Sequence, residues 1–427
     1  MTLSVTDIAD LGLEERSALF DRDAGIDAAR SDARDIVERV REEGDVAVRE
    51  YCRTFDDVDV GNLEITDECE RAVDVIDPAI REAIDTAIAN VRAFHEAQLP
   101  EDWRREFEDG RELGRRFRPL ERVGVYVPGG TAAYPSSAIM GIVPAVVAGV
   151  DHVVVATPPA DEPNPVTLAA IHLAGADEVF RVGGAQAVGA LAYGTESITR
   201  VQKIVGPGNR WVTAAKAEVR DVVDIDVLAG PSEVVVVADE TADPVHVASE
   251  LLAQAEHDPN ASVVAVTDDP DTAAATAEAV DTLIEDRTRE ATIRDALSSD
   301  ASAILCARSM SEAILFTEEY APEHLTIIAD DDESILERID SAGSVFLGPH
   351  TPVAAGDYAS GTNHVLPTNG GAKIAGGLAV EHFLRATTVQ RLSEDGLETL
   401  APTITTLAEA EGLEAHAESV RCRLEDD

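Results

Sequence analysis

A chain of 427 residues, 45% of them apolar, exceeds what one hydrophobic core normally fills, so two or more domains are expected. Its formal charge of -48, from 82 acidic against 34 basic residues, disfavours nucleic acid or an anionic membrane as a partner. Such a charge also invites a disordered reading, but recurring aliphatic runs such as HVVVATP and SEVVVVAD exclude it.

Only Lys203, Lys216 and Lys373 supply lysine, and so acidic a surface repels itself unless salt screens it. A salt-rich cytosol is the simplest setting. The start MTLSVTDIADLGLEE has no basic or apolar signal region, and no apolar run reaches the ~18 residues of a membrane span, so a cytoplasmic protein is expected. Cys52, Cys69, Cys306 and Cys422 are widely separated and form no CxxC pair, which fits buried thiols in a reduced compartment.

Residues 1–115 read as a mainly helical segment, with helical spacing over Ile26 to Cys52 and Val73 to Phe94 and a turn or short strand over Asp56 to Ile65. From 116 to 229 short buried strands alternate with helices. VGVYV, HVVVATPP, Glu178 to Val182 and KIV are the strands; Ser136 to Val147, Pro165 to Leu173, Gln186 to Tyr193 and Arg210 to Val219 are the helices. A second α/β unit spans 230–365. SEVVVVAD, SVVAVTD, AILCA, HLTIIAD and SVFLG alternate there with Pro244 to His257, one long helix over Thr272 to Leu297, Ser309 to Tyr320 and Ser334 to Asp340. Residues 366–427 read as an acidic helical tail without strands, too thin to fold alone and so expected to pack on another domain or on a partner subunit. The fold class is α/β, with two Rossmann-like parallel-sheet domains that lack a GxGxxG fingerprint.

Four places could carry chemistry. Gln254 and His257 sit three apart on a helix and can reach one ion, though a polar helix end reads the same way. Glu323 and His324 lie where a helix meets a strand; an imidazole there can take a proton and a carboxylate can activate water, or both can be ordinary loop polarity. GDYASGTNH, with Asp357 and His364, has little packing value and much polar variety, which favours a binding loop. His416, five residues after Glu411, reads alone as a surface histidine. Gly129 with Gly130, and Gly206 with Gly208, bring amides to helix starts, where anions are favoured.

Taken together, VGVYVPGG, GGAQAVGALAYGTES, KIVGPGN, AGPSEVVVVAD, ELLAQAEH, YAPEHL, GSVFLG, GDYASGTNHVLPT and AEAEGLEAH, in this order, resemble the histidinol dehydrogenase family. The resemblance runs from about residue 30 to the C-terminus. It implies four-electron oxidation of L-histidinol to L-histidine through L-histidinaldehyde, with two NAD reduced, as the last step of histidine biosynthesis. It implies zinc, one ion per subunit, held by Gln254, His257, Asp357 and His416, and Glu323 with His324 as catalytic residues. Ser232, Gln254, His257, Glu323, His324, Asp357, His364, Glu411 and His416 are the implied substrate positions, and Tyr126, Gln186 and Asn209 the implied NAD contacts. It also implies a homodimer whose active sites are shared between subunits. The stretch from Asn369 to Gly377 departs from the family pattern. Two rival readings are a dehydrogenase for another amino alcohol and a metal-binding scaffold that has kept the fold.

Overall fold

The computed structural model describes residues 3–22, 25–129, 133–285 and 287–424. Among these, two parallel sheets carry the molecule. The first has five strands in the order Glu178–Arg181, His152–Thr157, Arg122–Tyr126, Lys203–Val205, Asp224–Ile225. The second has six: Val5–Asp7, Ala303–Cys306, Ser262–Thr267, Glu233–Ala238, His324–Ile328, Ser344–Leu347. Numbered by appearance within each unit, both follow a doubly wound order, 3-2-1-4-5, with Val5–Asp7 added beside strand 3 of the second.

The valine runs dictate this layering, because successive side chains of a strand point to opposite faces. Val123, Val125, Val153 and Val155 meet the helices Pro135–Ala148 and Pro165–Ala174, while Tyr126, Val154 and Ala156 meet Gly184–Tyr193 and Arg210–Val219. In the second sheet Val234 and Val236 face Pro244–Ala255, and Val235 and Val237 face Met310–Tyr320. Each fully buried valine contributes about 1.5–3 kcal/mol. No helix among the described residues is long and apolar enough to cross a membrane.

Several sequence expectations need correction. Helix Ile26–Glu43 stops at Gly44, which has φ 56°, and Asp45–Phe55 begins a new one. The helix expected over Val73 to Phe94 starts only at Pro78, as Pro78–Glu96, and a short helix that was not expected, Thr66–Ala72, precedes it. The expected long helix over Thr272 to Leu297 is two, Pro270–Leu283 and Glu290–Leu297. The tail is not free of strands: Leu384–Leu392 pairs antiparallel with Arg111–Pro119, which pairs with Trp103–Phe107. These strands are exposed over much of their length, so they show no apolar alternation to read.

Candidate active site

A cleft of about 1530 Å³ runs from the carboxyl edge of the first sheet to the amino edge of the second. On the first side it is lined by Tyr126, Pro128, Gly129, Gly184, Gln186 and Asn209. Gly206 permits the close turn here: at φ 108° an added Cβ would lie 2.2 Å from the Tyr126 carbonyl oxygen. Below it, buried Lys216 donates to the Gly206 carbonyl at 3.1 Å and pairs with Asp226, whose other oxygen accepts from Gly206 N at 2.7 Å. Asn209 caps helix Arg210–Val219, its Oδ1 accepting from Trp211 N and Val212 N. The Tyr126 hydroxyl accepts from Gly184 N at 3.1 Å; burial pushes its pKa up to about 12, so it is a neutral phenol. The structure thus gathers Tyr126, Gln186 and Asn209 at two helix N-termini, where backbone amides favour an anionic ligand. Gly130 lies outside the described residues.

Across the cleft, Ser232, His257, Asp258 and Asn260 complete the lining. Behind Ser232, Glu233 opens one central strand and His324 opens its neighbour, with His324 in register with Val234. Unlike the usual doubly wound arrangement, these polar groups stand at the amino ends of the strands. Helix Met310–Tyr320 ends in Ala321, a non-glycine residue at φ 52°, and this left-handed turn swings Pro322, Glu323 and His324 into the sheet. Such a backbone costs on the order of 1 kcal/mol or more and is sustained here by complete burial of Ala321.

Glu323 and His324 are both buried. Glu323 Oε2 accepts from Glu233 N at 2.8 Å, and His324 Nδ1 lies 3.1 Å from the Glu233 carbonyl. A carbonyl can only accept, so Nδ1 carries the proton and Nε2 is the basic atom of the neutral ring. Nε2 is buried and has no hydrogen-bond partner. Burial disfavours the charged ring, yet the carboxylates of Glu323 and Asp357, each 3.6 Å away, outweigh it and push its pKa up to about 10. A cation held by Asp357 would cancel part of that pull and return the imidazole toward neutrality.

Asp357 lies on the short helix Val353–Tyr358. Glu250 anchors that helix, its carboxylate accepting from Val353 N at 2.9 Å. One turn on, Gln254 is buried and His257 follows the helix end, near enough that its charge acts on Asp357. Burial alone would raise the Asp357 pKa, but His324, His364 and His257 hold it below the usual carboxylate range. His364 turns its Nδ1 to the Asp357 carbonyl at 3.1 Å, and burial lowers its own pKa. Asn363 ties this loop to the first sheet's helices by donating to the Met140 carbonyl at 2.8 Å.

Glu411 and His416 do not join this group. Both are exposed, and His416 lies on the last helix, Glu414–Arg421, which packs on Glu394–Ala410. Among the described residues no three His, Cys, Asp or Glu side chains of one chain form a metal-holding group. Sequence reasoning passed over Glu233, Glu250 and Arg22. Glu233 left a signal, a lone acid opening the buried run EVVVVA; Arg22 left none.

Two doubly wound sheets face one cleft, with amide-rich turns suited to an anionic ligand on one side and a buried acid–imidazole pair on the other. The model of the histidinol dehydrogenase family matches residues 21–424. A histidinol dehydrogenase from Haloarcula marismortui is 69% identical over 423 residues, covering 99% of this chain and 100% of its own. The crystal structure of histidinol dehydrogenase from Elizabethkingia anophelis superposes with a TM-score of 0.93 at 35% identity, covering 99% of this chain and 98% of its own. An acetylating aldehyde dehydrogenase from Geobacillus thermoglucosidasius, at 13% identity and a TM-score of 0.51 over 89% of this chain and 96% of its own, shares the fold alone. The chain belongs to the histidinol dehydrogenase family.

Proposed function

We propose that the chain oxidises L-histidinol to L-histidine through a retained aldehyde, with NAD as hydride acceptor in both steps. Family membership supports the reaction; the observation that carries the residue roles is the buried, unpartnered Nε2 of His324 beside Glu323 and Asp357. In the first step His324 Nε2 takes the hydroxyl proton of the alcohol while hydride leaves the carbinol carbon. The aldehyde then needs a water: the Glu323 carboxylate takes a proton from it as it adds, and His324 returns its proton to the aldehyde oxygen, which leaves a neutral hydrate and a basic Nε2. In the second step His324 again accepts a hydroxyl proton, now from the hydrate, as the second hydride leaves. Residues 116–229 hold the dinucleotide through Tyr126, Gln186 and Asn209, and residues 230–365 hold the substrate, with Ser232 and His364 at its margins.

The donor types fit zinc: His257 lies near enough for its charge to act on Asp357, Gln254 stands three residues before His257 at the same helix end, and a nitrogen and oxygen set of this kind suits that ion. Zinc would orient the amino-imidazole substrate and stabilise charge developing on its oxygen. The fourth ligand, His416, is read as coming from a second copy of the chain, with Glu411 beside it. That reading draws support from its exposure and from the exposed Leu407 and Leu413 next to it. The test is an assay in molar salt, with and without added zinc, counting NADH per histidinol. Two per turnover is expected; one, or none, would overturn the proposal.

A further inference from the structure

We propose that the buried ion pair of Arg22 and Glu233 is a positioning device that holds Glu323 and His324 in working register, and this rests on their role as the proton-handling pair. Glu233 is fully buried at the head of a strand whose other residues are all apolar. A buried ion pair adds little stability over apolar residues of similar size, so packing alone does not account for it. What Glu233 does is grip both groups through its backbone: its N–H donates to Glu323 Oε2 at 2.8 Å and its carbonyl accepts from His324 Nδ1 at 3.1 Å.

The Glu233 side chain fixes that backbone in turn. Oε2 accepts from Arg22 Nη1, and Oε1 accepts from Asn369 N at 2.6 Å. The second arm of the Arg22 fork, Nη2, donates to the Tyr320 carbonyl at 2.9 Å, and the guanidinium lies 3.9 Å from the Tyr320 ring centroid. Tyr320 is the last helical residue before the turn that delivers Glu323. One guanidinium therefore ties the start of one strand to the approach of the next, setting the spacing between Glu233 and the Glu323–His324 pair. The loop segment Asn369 to Gly377 begins with the residue whose amide closes this cluster.

The test compares zinc-loaded wild type with Arg22→Lys, Arg22→Met, Glu233→Gln and Glu323→Gln, following NADH from histidinol and from histidinaldehyde beside thermal unfolding. Arg22→Met and Glu233→Gln are expected to lose about 10- to 100-fold in kcat with the histidinol KM changed by less than about threefold. Arg22→Lys, which keeps the charge but not the fork, should recover part of that loss. Wild-type kcat in folded Arg22→Lys and Glu233→Gln, or a loss confined to KM, overturns the proposal. If the variants that remove a charge do not fold, Arg22→Lys decides alone: lowered kcat at unchanged Tm supports the device, and unchanged kcat overturns it. Full aldehyde oxidation by Glu323→Gln would instead overturn the role given to Glu323, and with it any need to position that group.

Discussion

His324 Nε2 lies 3.6 Å from Asp357 Oδ1, too far for a hydrogen bond and too near for either charge to ignore the other. Asp357 thus faces two ways: its carboxylate can hold a cation, and whether it does so sets the protonation of the imidazole beside it. With Asp357 as a ligand of the proposed zinc, ligand and proton acceptor would share one buried corner, so losing the ion should disable the base as well as release the substrate.

Exchanging the acid and the imidazole separately should divide the two oxidations. Glu323→Gln keeps the shape that meets the Glu233 amide but cannot take a proton from water, so aldehyde oxidation should fall by about 10²–10⁴-fold. Aldehyde formation should fall far less. His324→Asn removes Nε2 and should slow both steps by a similar factor. Stopped-flow measurement of NADH from histidinol and from histidinaldehyde separates them; equal, small losses in the two variants would rule out this division.

Whether the site is shared between subunits, as proposed, can be read by complementation. Mixed dimers of His257→Asn and His416→Asn chains would contain one site with both histidines intact and one with neither. Random mixing makes half the dimers mixed, so activity should recover to about a quarter of wild type from two nearly inactive parents. His416 acting within its own chain predicts no recovery. Zinc content, read by atomic absorption, should follow the same proportion.

Legibility in the sequence followed burial. The runs HVVVATP and SEVVVVAD announce two-sided buried strands, and the Rossmann-like class, though not the strand order, followed from their alternation with helices. Glu323, His324, Asp357 and His364 were visible as polar residues at strand and loop positions, and the structure brings them together. The exposed sheet of Trp103–Phe107, Arg111–Pro119 and Leu384–Leu392 was invisible because its mostly exposed strands carry no apolar alternation, and pairing between strands so distant in sequence leaves no local trace. His416 gave no signal, since an exposed histidine acquires meaning only from what it faces. Arg22 was hidden for the opposite reason: its partners Glu233 and Tyr320 are distant in sequence, and one basic residue among 34 does not declare itself buried.

The charge of -48 predicts a stability that salt raises. Screening lengths fall from about 10 Å at 0.1 M to about 3 Å at 1 M, so most of the gain should come below about 1 M. The three lysines lend support: Lys203 and Lys216 are buried in ion pairs and Lys373 donates to the Glu319 carbonyl, which leaves the carboxylates to meet the solvent. Thermal unfolding across a KCl series is the check, and a flat Tm would show that repulsion among the carboxylates does not limit the fold.

Asp56 offers a pH test away from the proposed metal ligands. It lines the cleft, its Oδ2 is buried without a partner, and burial pushes its pKa from 3.8 up to about 6. Below pH 3.8 both the folded and unfolded chains hold this proton, and Asp56 contributes nothing. As pH rises the unfolded chain releases the proton first, so folding stability falls between about pH 4 and pH 6 and stays lowered above. Two pKa units correspond to roughly 3 kcal/mol, and solvent screening of a half-buried group reduces this to about 1–2 kcal/mol. Asp56→Asn, which cannot ionise, should therefore be more stable than wild type by that amount above about pH 6 and indistinguishable from it near about pH 4. Denaturant unfolding at fixed high salt, without dinucleotide, measures the difference; a variant that is less stable at neutral pH would show that the carboxylate is satisfied after all.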